Sequence, residues 1–311
     1  MKKYLLFNLL VGLCIAPLLV YSQPSLVKHI FPGSNSGGVT IITNVNGTLF
    51  FRADDGTHGY ELWKSDGTAA GTILVKDIFP GGGSSEPRHL TNVNGTLFFT
   101  ADDGIHGNEL WKSDGTAEGT VLIKDIIPPG FGNHDFLTNV NGTLFFRGND
   151  GIHGNELWKS DGTTEGTVLV KDIRPSGGFT DLHDLTSVNS TLFFTANDGI
   201  HGQELWKSDG TAAGTILVKD IRPGGNFSDP ILLTNVNGTL FFNANDGIHG
   251  DELWKSDGTE AGTILVKDIL PGSNSSIPSD LTNVNGTLFF TAGEGIHGRE
   301  LWKSDGTQVP Y

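Results

Sequence analysis

Cysteine is almost absent from this sequence: Cys14 is the single one among 311 residues. Because Cys14 lies in an N-terminal segment that we expect to be removed, the mature chain has no disulfide and no thiol chemistry. Charged residues are also sparse, at 18%, and acidic residues outnumber basic ones by 35 to 20. A net charge of −15 disfavours nucleic acids and anionic membranes as partners.

Helical patterning is missing as well. No stretch has the apolar spacing of 3.6 residues that marks an amphipathic helix. Glycine is abundant instead, at 44 residues, and short apolar runs rich in Thr, Val, Ile and Phe recur along the chain. This composition is typical of an all-β protein with many turns.

The first 22 residues have the pattern of a secretory signal peptide. Lys2 and Lys3 precede an apolar run from Tyr4 to Val20, and small or neutral residues lead to a cleavage point after Ser22. An uncleaved membrane anchor is the alternative. We therefore expect a secreted, periplasmic or cell-surface protein, in a Gram-negative bacterium, with a single mature domain over residues 23–311.

One unit of about 48 residues is repeated six times. Each copy contains the octapeptide Glu-Leu-Trp-Lys-Ser-Asp-Gly-Thr, and its tryptophans stand at positions 63, 111, 158, 206, 254 and 302. This period suits a propeller blade of four strands, since one turn of a β-helix is roughly half as long. The sequence thus predicts a six-bladed β-propeller of four-stranded antiparallel blades.

The second copy shows four strand signals, named A to D in chain order. They are His89 to Val93, Thr96 to Ala101, Glu109 to Ser113 and Thr120 to Ile126. Asn94-Gly95 between A and B suits a type I′ hairpin. In this topology the A–B and C–D turns share one face, and the B–C and D–A loops share the other.

The two ends of the repeat array are offset. Residues 26–30 have the pattern of a strand D, whereas the sixth copy stops after strand C. We predict that residues 26–30 pair with Glu300 to Ser304 and close the ring, which would remove two exposed sheet edges. The alternative is a piece of a longer array.

The octapeptide, followed by Gly-Thr and by Leu-Val-Lys-Asp-Ile, resembles the ELWxxDGT-repeat family of exported bacterial proteins. The resemblance covers residues 26–307. It implies β-propeller-like repeats and an exported location, but no established activity. Members of that family often end in a sorting domain, which is not visible in this sequence.

The B–C loop carries the most chemically interesting repeat, Asp-Gly-Ile-His-Gly-x-Glu. Its six histidines are His58, His106, His153, His201, His249 and His297. Imidazole and carboxylate at this spacing suit a metal or acid–base chemistry. Against this, the loop lacks the alternating Asp pattern of calcium loops, so we predict no cofactor and keep calcium or zinc as the alternative.

Positions that vary while staying polar are the candidate binding residues. One precedes the repeated Glu, a second lies in strand B, and others lie in the divergent D–A loops. The candidates are Tyr60, Asn108, Asn155, Gln203, Asp251 and Arg299; Arg52 and Arg147; and Arg88, His134 and His183.

The predicted function is non-catalytic: an exported recognition or adhesion module, a monomer, whose B–C and D–A face binds a glycan, peptide or protein. No catalytic residue stands out, because the repeated motif is alike in every blade. A propeller enzyme that acts on extracellular glycans, as hydrolase or lyase, and a purely structural spacer are the alternatives.

Overall fold

The structure is a computed structural model that describes residues 23–127, 134–175 and 178–307. The predicted signal peptide lies outside these residues. Every regular element within them is a β-strand. No helix in this part of the chain is long and apolar enough to cross a membrane.

The strands form six antiparallel sheets, one for each repeat, which we call blades 1 to 6. Strands A are β1 Thr40–Val45, β5 Arg88–Val93, β9 Asp135–Val140, β13 His183–Val188, β17 Ile231–Val236 and β21 Ser279–Val284. Strands B are β2 Thr48–Asp54, β6 Thr96–Asp102, β10 Thr143–Asn149, β14 Thr191–Asn197, β18 Thr239–Asn245 and β22 Thr287–Gly293. Strands C are β3 Tyr60–Ser65, β7 Asn108–Ser113, β11 Asn155–Ser160, β15 Gln203–Ser208, β19 Asp251–Ser256 and β23 Arg299–Ser304. Strands D are β4 Ile73–Lys76, β8 Val121–Lys124, β12 Val168–Lys171, β16 Ile216–Lys219 and β20 Ile264–Lys267.

The A–B hairpins follow from their sequence. Asn94 and Gly95 both have positive φ, at 50° and 86°, as a type I′ turn requires. In blade 4 the turn is Asn189-Ser190, and Ser190 adopts the same left-handed conformation, with φ 71°. The fold therefore keeps this turn type even where glycine is replaced, at the steric cost that a side chain meets there.

The hydrophobic core lies between blades. At the first interface Phe50 and Leu62 of blade 1 pack against Phe99 and Trp111 of blade 2, and all four are buried. Both faces of each inner sheet are apolar because each sheet is covered on both sides by its neighbours.

Strands A lie on the inner side of the array. Thr43 Oγ1 donates to Leu90 O over 3.0 Å, and Thr186 Oγ1 donates to Leu233 O over the same distance. These bonds join strand A of one blade to strand A of the next. The arrangement is propeller-like, as predicted.

The predicted ring closure is not present. The sixth sheet has three strands, and residues 26–30 are not assigned to any strand in the part of the chain that the structure describes. Instead Lys28 Nζ donates to Thr72 O over 2.6 Å, and Ile30 packs beside Phe51 and Trp63. Residues 26–30 thus lie against blade 1, as each strand D lies against the blade that follows it.

Candidate functional site

The histidines of the B–C loops are bound within their own turns. Asp103 Oδ1 accepts from the amides of Ile105 and His106, over 2.9 and 2.8 Å, and Oδ2 lies 2.7 Å from His106 Nδ1. Hydrogen bonding to Asp103 raises the pKa of His106. The aspartate therefore caps the loop: it accepts hydrogen bonds from the turn amides and contacts the histidine ring of the same turn.

The same pairing recurs in every blade, with Glu294 replacing Asp in the sixth. Within residues 23–127, 134–175 and 178–307, no group of three His, Cys, Asp or Glu side chains is arranged to hold a metal ion. Each of the six histidines thus belongs to its own turn, and the six do not form one shared site.

The glutamate of the Glu-Leu-Trp motif has, in blades 1 to 5, a role that the sequence did not reveal. Glu61 is fully buried, and it accepts from the amides of Ile78, Phe79 and Ser85 at 3.0 to 3.2 Å. Ser85 Oγ also donates to it, over 2.6 Å. This carboxyl therefore fixes the D–A loop, because it satisfies amides that no strand partner reaches.

Burial raises the pKa of four of these glutamates despite their hydrogen bonds. The pKa reaches about 7 for Glu61, Glu156 and Glu204, and it is raised for Glu252. Transfer of a carboxylate out of water disfavours its charged form, which is the physical cause.

Blade 2 departs from this pattern. His134 Nε2 lies 2.9 Å from Glu109 Oε2, and both side chains are completely buried. The ring of His134 also meets the edge of Phe146, at 5.9 Å between centroids. His134 therefore contacts the buried glutamate and does not line a surface. The prediction that His134 is a binding residue is wrong.

Most of the remaining candidate binding residues lie at one edge of the inner strands. We call it the mouth, and it comprises four groups of residues. These are the loop residue two places before strand A in every blade except the third, the first two residues of strand A, the fifth of strand B and the first of strand C. Successive blades place chemically different side chains at these equivalent positions on a nearly identical scaffold.

Blades 1 to 3 make the mouth basic. Arg52 lies 2.6 Å from Glu86 and 5.0 Å above the ring of Tyr60. Arg88, which is 56% exposed, lies 3.5 Å from the same Glu86. Arg147 pairs with Asp135. Three arginines therefore meet two carboxylates among the described mouth residues of these blades.

Blades 4 to 6 make it acidic. The described mouth positions there hold a single arginine, Arg299, and five aspartates: Asp181, Asp184, Asp229, Asp251 and Asp280. Burial raises the pKa of Asp229, and the nearby negative charge of Asp251 raises it further. The mouth is thus polarised from one half of the array to the other.

Many mouth residues have left-handed backbone conformations. Among them are Asp181, Asp229 and Asp184, with φ of 47°, 45° and 55°. The second residue of every strand A is also left-handed, at a register shift where strand A bulges against strand B. Bulges of this kind re-aim side chains, and they often occur near functional sites.

A groove of about 400 Å³ lies beside the acidic half. It is lined by Arg174, Phe179, Asp181 and Phe227, among others. Phe179 is 73% exposed and Phe227 is 46% exposed. Exposed aromatic rings next to a charge can anchor an apolar side chain of a ligand.

Several predicted binding residues hold the structure together. Gln203 is almost buried, and its Nε2 lies 2.7 Å from His183 Nε2 and donates to Asp181 O. Arg147 Nη1 donates to Leu182 O of the next blade over 3.1 Å. The strand B position therefore ties neighbouring blades together, and in blades 2, 4 and 5 its side chain is buried.

The other candidates at the start of strand C also have local partners. Asn155 Oδ1 accepts from Asn149, Asp251 accepts from Ser275 Oγ, and Asn108 faces Asp102 in the sheet. Arg299 donates to Ile277 O over 2.9 Å and remains exposed. Arg88, Arg299 and the five aspartates are the candidates that the mouth best presents to a ligand.

No protein-family model matches the sequence, and no curated protein does either. Among solved structures, the chain is similar to prolyl oligopeptidase B from Galerina marginata bound to a 25mer macrocyclization substrate. The TM-score is 0.52 at 10% identity, over 88% of this chain and 43% of that one. It is also similar to a puromycin hydrolase (TM-score 0.47, 15% identity, 84% and 43% covered) and to the acylaminoacyl peptidase of Pyrococcus horikoshii (0.45, 10%, 88% and 45%).

The chain spans less than half the length of these structures. At 10% identity the likeness to the Galerina marginata structure shows the fold alone, a propeller, and it agrees with the sheet order found here.

Proposed function

We propose that this protein is an exported, non-catalytic recognition module that binds a peptide or protein segment across its mouth. The observation that carries the proposal is the polarised mouth, basic in blades 1 to 3 and acidic in blades 4 to 6. A ligand that bears charges of both signs complements such a surface, whereas a neutral glycan does not use it.

The groove beside Asp181 supports a peptide in particular. Phe179 and Phe227 offer an apolar contact next to the acidic half of the mouth. A basic residue followed or preceded by an apolar one would satisfy both features.

The test is a selection from a random peptide display library on residues 23–311, run beside a glycan array. We expect enriched peptides to combine basic, acidic and apolar residues. Binding of the enriched peptide should weaken about tenfold, or about 1.4 kcal/mol, in the double variant Asp181→Asn with Asp229→Asn. Asn accepts the left-handed conformation as Asp does, so the backbone is kept.

The matched control is Glu118→Gln with Glu165→Gln, which removes two charges from exposed C–D turns on the opposite face. It should leave binding unchanged. Glycan binding without peptide enrichment would overturn the choice of ligand. Cleavage of a bound peptide or glycan would overturn the non-catalytic assignment, and a lack of any binding would favour the structural spacer.

A further inference from the structure

Successive blades meet at five equivalent interfaces. Each end face of the array carries one of the two sides of such an interface. Leu62, Leu110, Leu157, Leu205 and Leu253 occupy one repeat position and are no more than 1% exposed. Their equivalent in blade 6, Leu301, is 72% exposed, and Val284 of the same sheet is 45% exposed. The outer face of blade 6, which we call the tail, is therefore an uncovered apolar sheet.

Blade 1 has the complementary defect. Leu97, Leu144, Leu192, Leu240 and Leu288 are fully buried by the preceding blade, whereas their equivalent Leu49 is 37% exposed. A Cβ added to Gly115 would meet Phe50 of the preceding blade, whereas one added to the equivalent Gly67 meets nothing. We call this face, together with residues 26–30, the head.

Hydrogen bonds show the same asymmetry. Lys64 Nζ donates to Gly115 O of the next blade over 2.8 Å, and the equivalent bond recurs at each later interface. Lys303 of blade 6 has no such acceptor among the described residues, and the carbonyl of Gly67 receives no equivalent lysine. The tail therefore carries the lysine donor of this repeated hydrogen bond, and the head carries the glycine carbonyl that accepts it.

A groove of about 440 Å³ lies along strand C of blade 6, where the described residues supply no strand D. Its walls include Leu253, Phe290, Trp302 and Lys303. In blades 1 to 5 strand D pairs with this edge of strand C, and its leucine packs at the core between blades, as Leu122 does in blade 2.

The head offers a segment of the required sequence. Residues 26–30 read Leu-Val-Lys-His-Ile, close to the Leu-Val-Lys-Asp-Ile that follows in blade 1. Lys28 and Ile30 hold this segment on blade 1, yet Leu26 and Val27 are 67% and 44% exposed. Its free edge is therefore available to a strand C.

We propose that the tail of one copy docks on the head of a second copy. Residues 26–30 of the second copy would pair with Glu300–Ser304 of the first as a strand D, and Leu26 would enter the groove beside Trp302. The tail of the same copy is not seated on its own head, as the exposure of Leu301 and Leu49 shows. A second copy supplies both the strand and the face of blade 1 without any rearrangement. The contact is head-to-tail, so it generates a ring or a filament. This proposal is independent of the ligand at the mouth.

The experiment uses residues 23–311 and two variants with one damaged face each. The double variant Leu26→Asp with Val27→Asp disrupts the head, and Leu301→Asp disrupts the tail. All three side chains are exposed, so both variants should fold. Sedimentation velocity over a range of concentrations should show concentration-dependent oligomers for the unsubstituted protein. Each variant alone should be monomeric, because it lacks one half of the contact.

An equimolar mixture of the two variants should form dimers and nothing larger, since one intact head and one intact tail remain. As a control, Ile105→Asp changes an 80% exposed side chain in a B–C loop and should leave the oligomers intact. A monomeric unsubstituted protein whose melting temperature falls in both end variants would overturn the proposal in favour of closure within one chain. A monomer that is insensitive to both changes would also overturn it.

Discussion

Ser228 Oγ donates a hydrogen bond to Glu204 Oε2 over 2.5 Å, and neither side chain is reached by solvent. The serine lies in the loop that leads to blade 5, and the glutamate lies in strand C of blade 4. The amide of Ile221 donates to the same carboxyl over 2.9 Å. One buried acid thus fixes the course of the chain from one blade to the next.

The first prediction concerns this acid. Glu204→Ala should lower the free energy of unfolding by about 2 to 4 kcal/mol, because it leaves a buried amide and a buried hydroxyl without a hydrogen-bond acceptor. Urea denaturation followed by tryptophan fluorescence measures the change. Glu300→Ala is the matched control: Glu300 has the same place in the motif but is exposed in blade 6, so its loss should cost about 0.5 kcal/mol or less.

The second prediction concerns the core between blades. Leu205→Ala should cost about 2 to 5 kcal/mol, since it opens a cavity at a fully buried site. Leu301→Ala, at the equivalent but exposed position, should cost about 0.5 kcal/mol or less under dilute conditions. Equal losses for the two variants would contradict the observed difference in packing.

The third prediction separates backbone strain from steric clash. Gly202 and Gly298 both have positive φ, at 78° and 81°. A Cβ on Gly202 would lie 1.9 Å from Asn226 O, whereas one on Gly298 would meet nothing within 4 Å. Gly298→Ala should therefore cost about 1 kcal/mol, the strain of a left-handed alanine. Gly202→Ala should cost clearly more, measured as the difference in unfolding midpoint.

The fourth prediction is a fall in stability from pH 5 to pH 8. The pKa of Glu61, Glu156 and Glu204 is about 7 in the folded state, against an ordinary value of 4.5. Between these values the folded state holds more protons than the unfolded state, so stability decreases as pH rises. Each pKa unit corresponds to about 1.4 kcal/mol.

The loop histidines act in the same direction. Their aspartate partners raise the pKa of His58 and its equivalents above 6.5, and that contribution is present at low pH and lost as pH rises through the folded value. Melting temperatures between pH 5 and 8 provide the measurement. Replacing all three glutamates by glutamine should flatten the profile; a melting temperature that rises toward pH 8 would contradict the prediction.

Most of the fold could be predicted from the sequence, because its signals are local. In the second blade, the bounds of strands A to C agree with the prediction to within one residue, and strand D is shorter than predicted, Val121–Lys124 instead of Thr120 to Ile126. The Asn-Gly hairpins form as expected. These features depend on alternation of apolar side chains and on turn residues that accept positive φ, and both are visible in a single repeat.

The candidate site was harder to predict, because its contacts join residues far apart in the chain. Glu61 stands next to a core leucine, and only the return of the D–A loop makes it a buried anchor. His134 takes the place of a serine or threonine in blade 2. The one available signal was the spacing of 47 between Trp111 and Trp158, which marks that loop as different.

The repeated contacts between blades have an evolutionary consequence. Because each blade presents to the next the same lysine, the same phenylalanine and the same leucine, a whole unit of about 48 residues can be duplicated or deleted without the invention of a single new contact. Recombination between such similar stretches of coding sequence can then vary the length of the array, while the mouth residues diversify one blade at a time.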